Sequence, residues 1–154
     1  MKDNNCPQCG MIMKYLAQTS ENSFLIRLMK GDDILLSLQN FCKEYQEIGA
    51  GKISGIGAVS CAVLGFYDGH QYCENTFQEP LEILSLLGNV AKSQIVHMHG
   101  IFGRKDGSCI GGHILPGCTV SFTCEIHLII LIPSVERVKD IETNLQLLNL
   151  PNQL

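Results

Sequence analysis

The stretch "QIVHMHGIFGRKDGSCIGGHILPG", residues 94–117, reads as two strands joined by a tight turn, and it carries three of the chain's five histidines: His97, His99 and His113. On a strand, residues i and i+2 share a face. His97 and His99 therefore point one way, while Val96 and Met98 point into the opposite, apolar layer. The Asp-Gly of "GRKDGS" marks the turn. Register decides where His113 lies. A two- or four-residue loop pairs Gly100 with His113 and turns His113 to the wrong face. A three-residue loop at 105–107 sets His113 opposite His99, and a five-residue loop sets it opposite His97. Either odd loop gathers all three imidazoles on one face, within the roughly 5–8 Å of opposite and diagonal neighbours. Gly107 can supply the left-handed residue of a three-residue loop, and Gly111–Gly112 lets the second strand bend.

Three neutral imidazoles converging on one point suit Zn²⁺ and leave a fourth position for water or substrate, as catalytic zinc sites do. A His-x-His pair alone would read as polar residues on a solvated strand face. The third histidine tips the reading to metal binding. His70, in "YDGHQ", reads as a loop residue and His127 as a strand-face residue. Glu125, on the polar face of the next strand, is a candidate to hydrogen-bond a metal-bound imidazole or to act as a general base; a solvated carboxylate is its plainer role.

Working outward, "KYLAQTSENSFLIRLMKG" reads as a strand pair with its turn near Ser20–Ser23 and with Phe24, Ile26 and Leu28 alternating inward. "GDDILLSLQNFCKEYQEIG" is the main helix. Asp32 is its expected N-cap and Asp33 complements the dipole. Ile34, Leu35, Leu38, Phe41, Cys42 and Tyr45 form the apolar stripe, and Gly49 lies past the last turn. "AGKISGIGAVSCAVLGFYDG" carries Gly51, Gly55, Gly57 and Gly65 in strand-like sequence, which predicts bulges or close backbone approach. Gly55-x-Gly57 is no dinucleotide fingerprint, because no third glycine opens a helix. "QYCENTFQEPLEILSLLGNV" gives two short strands broken at Glu79–Pro80. "CTVSFTCEIHLIILI" alternates throughout, with Val120, Phe122, Cys124, Ile126, Leu128 and Ile130 on one face and Thr119, Ser121, Thr123, Glu125 and His127 on the other. In the tail, Val135, Val138, Ile141, Leu145 and Leu148 fit a helical period. Together these segments predict an α+β domain: a mostly antiparallel twisted sheet or partial barrel with one main amphipathic helix.

At 154 residues, the chain has the length of one domain. It is 45% hydrophobic and 17% charged, with mean hydropathy +0.14, an apolar excess expected where subunit interfaces are also covered. No apolar run reaches the ~20 residues of a membrane-spanning helix. "MKDNNCPQCGMIMKY" lacks a signal-peptide core, so a cytoplasmic protein is expected. The eight cysteines then read as free thiols rather than a disulfide framework. Net charge is −4, the sequence pI about 5.7, and the densest basic cluster is "GRK" at 103–105, which argues against DNA binding by this chain alone. Residues 1–12 form an extension whose "CPQCG" resembles half of a zinc ribbon. The second pair is missing, so the reading is an extension with no metal, or with one shared between subunits.

The segments "GDDILLSLQNFCKEY", "GKISGIGAVSCAVLGFYD", "FQEPLEILSLLGN", "VHMHGIFGRKDGSCIGGHILPGCTV" and "ETNLQLLNL" together resemble the plants-and-prokaryotes conserved (PPC) domain, across residues 13–150. The resemblance implies a compact α+β domain that assembles as a homotrimer, with a fold related to that of acetolactate decarboxylase. It also implies zinc on the positions of His97, His99 and His113 in some prokaryotic members. Plant members place the domain after AT-hook motifs that bind DNA and use it for oligomerisation and contacts with transcription factors. "PLEILSL" at 80–86 is similar to the contact motif of those plant proteins, with Glu79 and Pro80 where that motif begins Gly-Arg. No Arg-Gly-Arg-Pro core occurs, so the AT-hook is missing. The family's closing segment is usually extended, which favours strand and loop over helix in the first half of the tail.

Three functions follow as expectations. The first is a trimeric zinc-binding domain, DNA-associated or regulatory, with possible protein partners. The second is a metal-dependent enzyme acting on a small keto or hydroxy acid, with Glu125, Glu79, Glu82, Arg104 and Lys105 as candidate helpers. The third is a metal with a purely structural role, which the open coordination position argues against.

Overall fold

The computed structural model describes residues 14–20, 22–45 and 48–150; the "CPQCG" extension lies outside them. In chain order the elements are β1 (Lys14–Ser20), β2 (Ser23–Met29), α1 (Ile34–Glu44), β3 (Ala50–Tyr67), β4 (Tyr72–Phe77) and β5 (Leu81–Ala91). A single 3₁₀ turn at Lys92–Gln94 leads into β6 (Ile95–Gly103). β7 (Cys109–Ile114), β8 (Thr119–Ile130), β9 (Glu136–Lys139) and β10 (Gln146–Asn149) follow. The main sheet runs β1-β2-β8-β3-β5-β6-β7, with β4 added on β3, and all its described pairings are antiparallel. Among the described residues, a main antiparallel sheet with one α-helix on it is the α+β class read from the sequence. β7 also touches β3 through Leu64–Ile114 and Gly65–His113, a two-pair contact that brings the β3-β5-β6-β7 path back to β3 without making a clear barrel.

β3 positions everything else. Its first half lies between β5 and β8, and its second half pairs with β4 and touches β7. A strand that changes neighbours along its length must bend, and the bend falls at Gly57, where the register shifts against both β5 and β8. Gly57 has φ +155°, and a Cβ there would overlap the Thr123 carbonyl. The same irregularity corrects one expectation for β8. Between the Gly57–Cys124 and Val59–Val120 pairs, β8 carries more residues than β3, and Phe122 bulges out to 75% exposure instead of joining the buried row. Val120, Cys124, Ile126 and Leu128 are buried as the alternation requires.

The helix lays Ile34, Leu35, Leu38, Phe41 and Cys42 on the inner face of the sheet, where they meet Phe24, Ile26, Leu28 and Leu128. Phe24 meets Phe41 edge-on at 5.2 Å, and Phe41 stacks on Tyr45 at 4.6 Å. The N-cap is Asp33 rather than Asp32: Asp33 Oδ1 accepts from Leu36 N at 2.9 Å, and its other oxygen accepts from Gly117 N. Asp32, one residue too early for the cap, closes the preceding turn by accepting from Met29 N at 2.7 Å.

The tail is a second two-stranded sheet, β9 on β10, not a helix. Tertiary hydrogen bonds override the helical period. Lys92 N donates to Val135 O at 2.7 Å and Val135 N donates to Gly49 O at 3.1 Å, which anchors the segment in an extended form. Asp140 Oδ1 then accepts from Thr143 N and Oγ1 to make the turn.

Candidate metal centre

The hairpin of residues 95–114 decides the site. Arg104 N donates to Ser108 O at 2.8 Å and Gly107 N to Arg104 O at 3.0 Å, so the loop is the three residues 105–107. Gly107 supplies the left-handed conformation at φ +84°, and Asp106 Oδ1 accepts from Ser108 N and Oγ. That loop sets His99 opposite His113. Val96 and Met98 are buried on the inner face, as the alternation predicts.

The three imidazoles meet on the other face. Ring centroids are 5.2 Å apart for His97–His99, 5.0 Å for His97–His113 and 5.3 Å for His99–His113. One nitrogen from each ring lies within 4.8 Å of the others. Zinc–nitrogen bonds of about 2.0–2.1 Å at tetrahedral angles place two ligand nitrogens roughly 3.3–3.4 Å apart. His97 Nε2 and His99 Nε2 stand at 3.3 Å. His113 Nδ1 is buried with no partner among the described residues. Burial, then the neighbouring His97, His99 and Arg137, push the His113 pKa down to about 4. Burial, Arg137 and His99 also hold His97 below its ordinary value. Both rings are therefore neutral near pH 7, with lone pairs available, which is the form that binds metal. The donor set fits a zinc ion.

Three residues that sequence reasoning missed complete the surroundings. Tyr72 of β4 lies against His113, with ring centroids 5.2 Å apart. Asn89 of β5 stands directly opposite His97. Arg137 of β9 donates through Nη2 to Asn89 Oδ1 at 2.6 Å and through Nη1 to Gln146 O at 2.6 Å, with Nη2 3.4 Å from His97 Nδ1. A pocket of about 330 Å³ opens between these groups and the β9–β10 hairpin. The β5–β6 register would have found Asn89. Nothing in the sequence marks Arg137: neither the helical period of its segment nor the extended form that the resemblance implies says which strand it lies beside.

Glu125 is not brought to the imidazoles. It sits on β8 opposite Arg27 and Ile56, with Thr123 Oγ1 at 3.5 Å. Three strand spacings separate β8 from β6, roughly 14 Å along the sheet. The other candidate helpers are also elsewhere. Glu79 pairs with Arg104 at 3.0 Å, Lys105 lies in the hairpin loop, and Glu82 lines an outer groove together with Glu125. His70 is in the Asp68–Gln71 turn and His127 on β8, as their sequence context indicates.

Comparison with known proteins agrees with this architecture. A metal-containing protein from Archaeoglobus fulgidus is 36% identical, with TM-score 0.74 over 90% of this chain and 99% of its own. A candidate DNA-binding protein from Bacteroides thetaiotaomicron superposes at TM-score 0.81 with 27% identity, covering 88% of this chain and 96% of its own. A plant- and prokaryote-conserved protein from Pyrococcus horikoshii gives 0.75 at 26% identity, over 92% and 97%. A Staphylococcus aureus protein similar to α-acetolactate decarboxylase shares the fold more loosely, at TM-score 0.51 and 11% identity over 73% of this chain and 54% of its own. Among curated sequences, the bifunctional protein GlmU of a Synechococcus strain is 36% identical over 104 residues, 67% of this chain. The chain spans only 16% of that relative's length. The sequence profile of the Plants and Prokaryotes Conserved (PCC) domain matches residues 15–132, and the chain belongs to that family.

Proposed function

We propose that this protein is a zinc-binding domain that works as a homotrimer, the metal being held by His97, His99 and His113. The convergence of three imidazole nitrogens within 4.8 Å carries the reading. Zinc with three protein nitrogens and an open position acts as a Lewis acid and lowers the pKa of bound water to about 7. The chain's own residues hold the rings: Val96 and Met98 anchor β6 in the core, and the Gly107 turn fixes the facing strand. An oligomer is supported by the outer face of the sheet. There Ile56 is 60% exposed, Leu84 54% and Phe122 75%, in adjoining grooves lined also by Leu25 and Leu87. The PCC profile over residues 15–132 supports the central part of the domain that we place at residues 13–150, after a 1–12 extension.

A DNA-associated or regulatory role is supported by the description of similar structures as candidate DNA-binding proteins. The acidic balance weighs against it, and any DNA affinity should fall steeply with salt. A second reading is favoured by the pocket beside the imidazoles: a metal-dependent enzyme acting on a small keto or hydroxy acid. Elemental analysis and light scattering on wild type and His97→Ala test the proposal. It expects about one zinc per chain in a trimer, lost in the variant with the trimer intact. A folded protein that takes up no zinc overturns it.

A further inference from the structure

We propose that the pocket walled by His97, His113 and Arg137 binds a small carboxylate, and that Arg137 receives the carboxyl group. This rests on the metal reading above and deepens it.

Arg137 stands in the wall of this pocket. Its guanidinium offers five N–H donors. Gln146 O and Asn89 Oδ1 each accept at 2.6 Å, and His97 Nδ1 stands at 3.4 Å. Nε is closed off from solvent and has no acceptor among the described residues. All of these partners are neutral. The acids nearest in sequence are engaged elsewhere, Glu136 with Lys92 and Asp140 with Thr143, and no described carboxylate pairs with Arg137. A half-buried cation without a counter-charge is unfavourable.

Metal loading sharpens the imbalance. Arginine only donates, so His97 Nδ1, at 3.4 Å, serves it only in the tautomer whose proton lies on Nε2. A metal on His97 Nε2 leaves the ring proton on Nδ1, which then no longer accepts from Arg137. A divalent ion on three neutral nitrogens adds two positive charges beside the guanidinium, and the pocket contributes no acid to offset them. An anion is the missing component, and a planar carboxylate matches the guanidinium fork. The volume of about 330 Å³, with Leu145 and Leu147 in its wall, admits a short organic acid. Because Arg137 adjoins His97, the favoured ligand carries a second oxygen on the neighbouring carbon. Its carboxylate meets Arg137 while the second oxygen reaches the metal.

Titration calorimetry with oxalate, with neutral oxamide as control, tests this on protein whose zinc content is measured first. Oxalate should bind and oxamide should not. Arg137→Gln should weaken oxalate about tenfold or more at unchanged zinc content. Asn89→Asp, which places a carboxylate on the guanidinium without touching Arg137, should weaken it as well. Equal oxalate affinity in wild type and Arg137→Gln at full zinc overturns the proposal and leaves the metal reading standing. Arginine-dependent oxalate binding by a protein that takes up no zinc overturns the metal reading alone; absence of both overturns both. If wild type ignores oxalate and Arg137→Gln dissociates the oligomer, an acid of a neighbouring copy neutralises Arg137 and the proposal falls.

Discussion

His99 and His113 stand directly opposite one another across the β6–β7 pair, fourteen positions apart in sequence and 5.3 Å between ring centroids. The relationship depends on a three-residue loop and a two-residue side-chain period, and it turns a His-x-His strand into a three-nitrogen site.

If the three rings hold zinc as proposed, single replacements of His97, His99 or His113 by Ala should each remove most of it. The loss of affinity should exceed the roughly 10–100-fold that follows removal of an outer hydrogen-bond partner. His70→Ala, in the Asp68–Gln71 turn, should leave zinc content unchanged. Zinc titration against a competing chelator reads the difference, with circular dichroism confirming that each variant is folded.

Gly57→Ala and Gly107→Ala should differ although both glycines have positive φ. At Gly57 a methyl group would overlap the Thr123 carbonyl in the bend of β3, and a loss of about 2 kcal/mol or more is expected. At Gly107 a methyl group meets nothing within 4 Å, so only the backbone strain of about 1–2 kcal/mol remains. Urea midpoints at constant slope measure both. Equal midpoints would show that β8 yields to the methyl group at no cost.

Burial pushes the Cys42 and Cys124 thiols up to about 12 and that of Cys118 up to about 11, from an ordinary 9.0. Raised folded-state values mean that the native protein keeps protons the unfolded chain loses. The corresponding stability is complete below pH 9 and declines as pH rises from about 9 toward 12. Denaturation midpoints across that range should therefore fall. At pH 8 a thiol reagent should label the exposed Cys73 and Cys109 well before the three buried thiols, as peptide mass mapping would show.

Phe122→Asp should lower the oligomeric state without unfolding the chain. Phe122 is 75% exposed and adjoins Ile56 and Leu84 on the outer face of the sheet. Light scattering that finds the same mass for wild type and variant would remove this face from the interface.

The period-2 and period-3.6 patterns were enough to read β2, α1, β6, β7 and most of β8 from the sequence, because those segments bury one face against a single core and alternate accordingly. The Asp-Gly turn and the spacing of the histidines brought the candidate site down to two odd-loop registers, and Gly107 favoured the one observed. What the sequence did not reveal was non-local. Phe122 obeys the alternation of β8 and is still turned outward, because a change of partners along β3 opens a bulge beside it. Val135 and Val138 follow a helical period and are still extended, because hydrogen bonds to Gly49 and Lys92 hold the tail open, while Ile141 falls in the β9–β10 turn. Arg137 reaches His97 only through that extended tail. Local periodicity records which face of an element is buried; which distant strand lies beside it is set by pairings between residues far apart in the chain, and only the tertiary structure decided those.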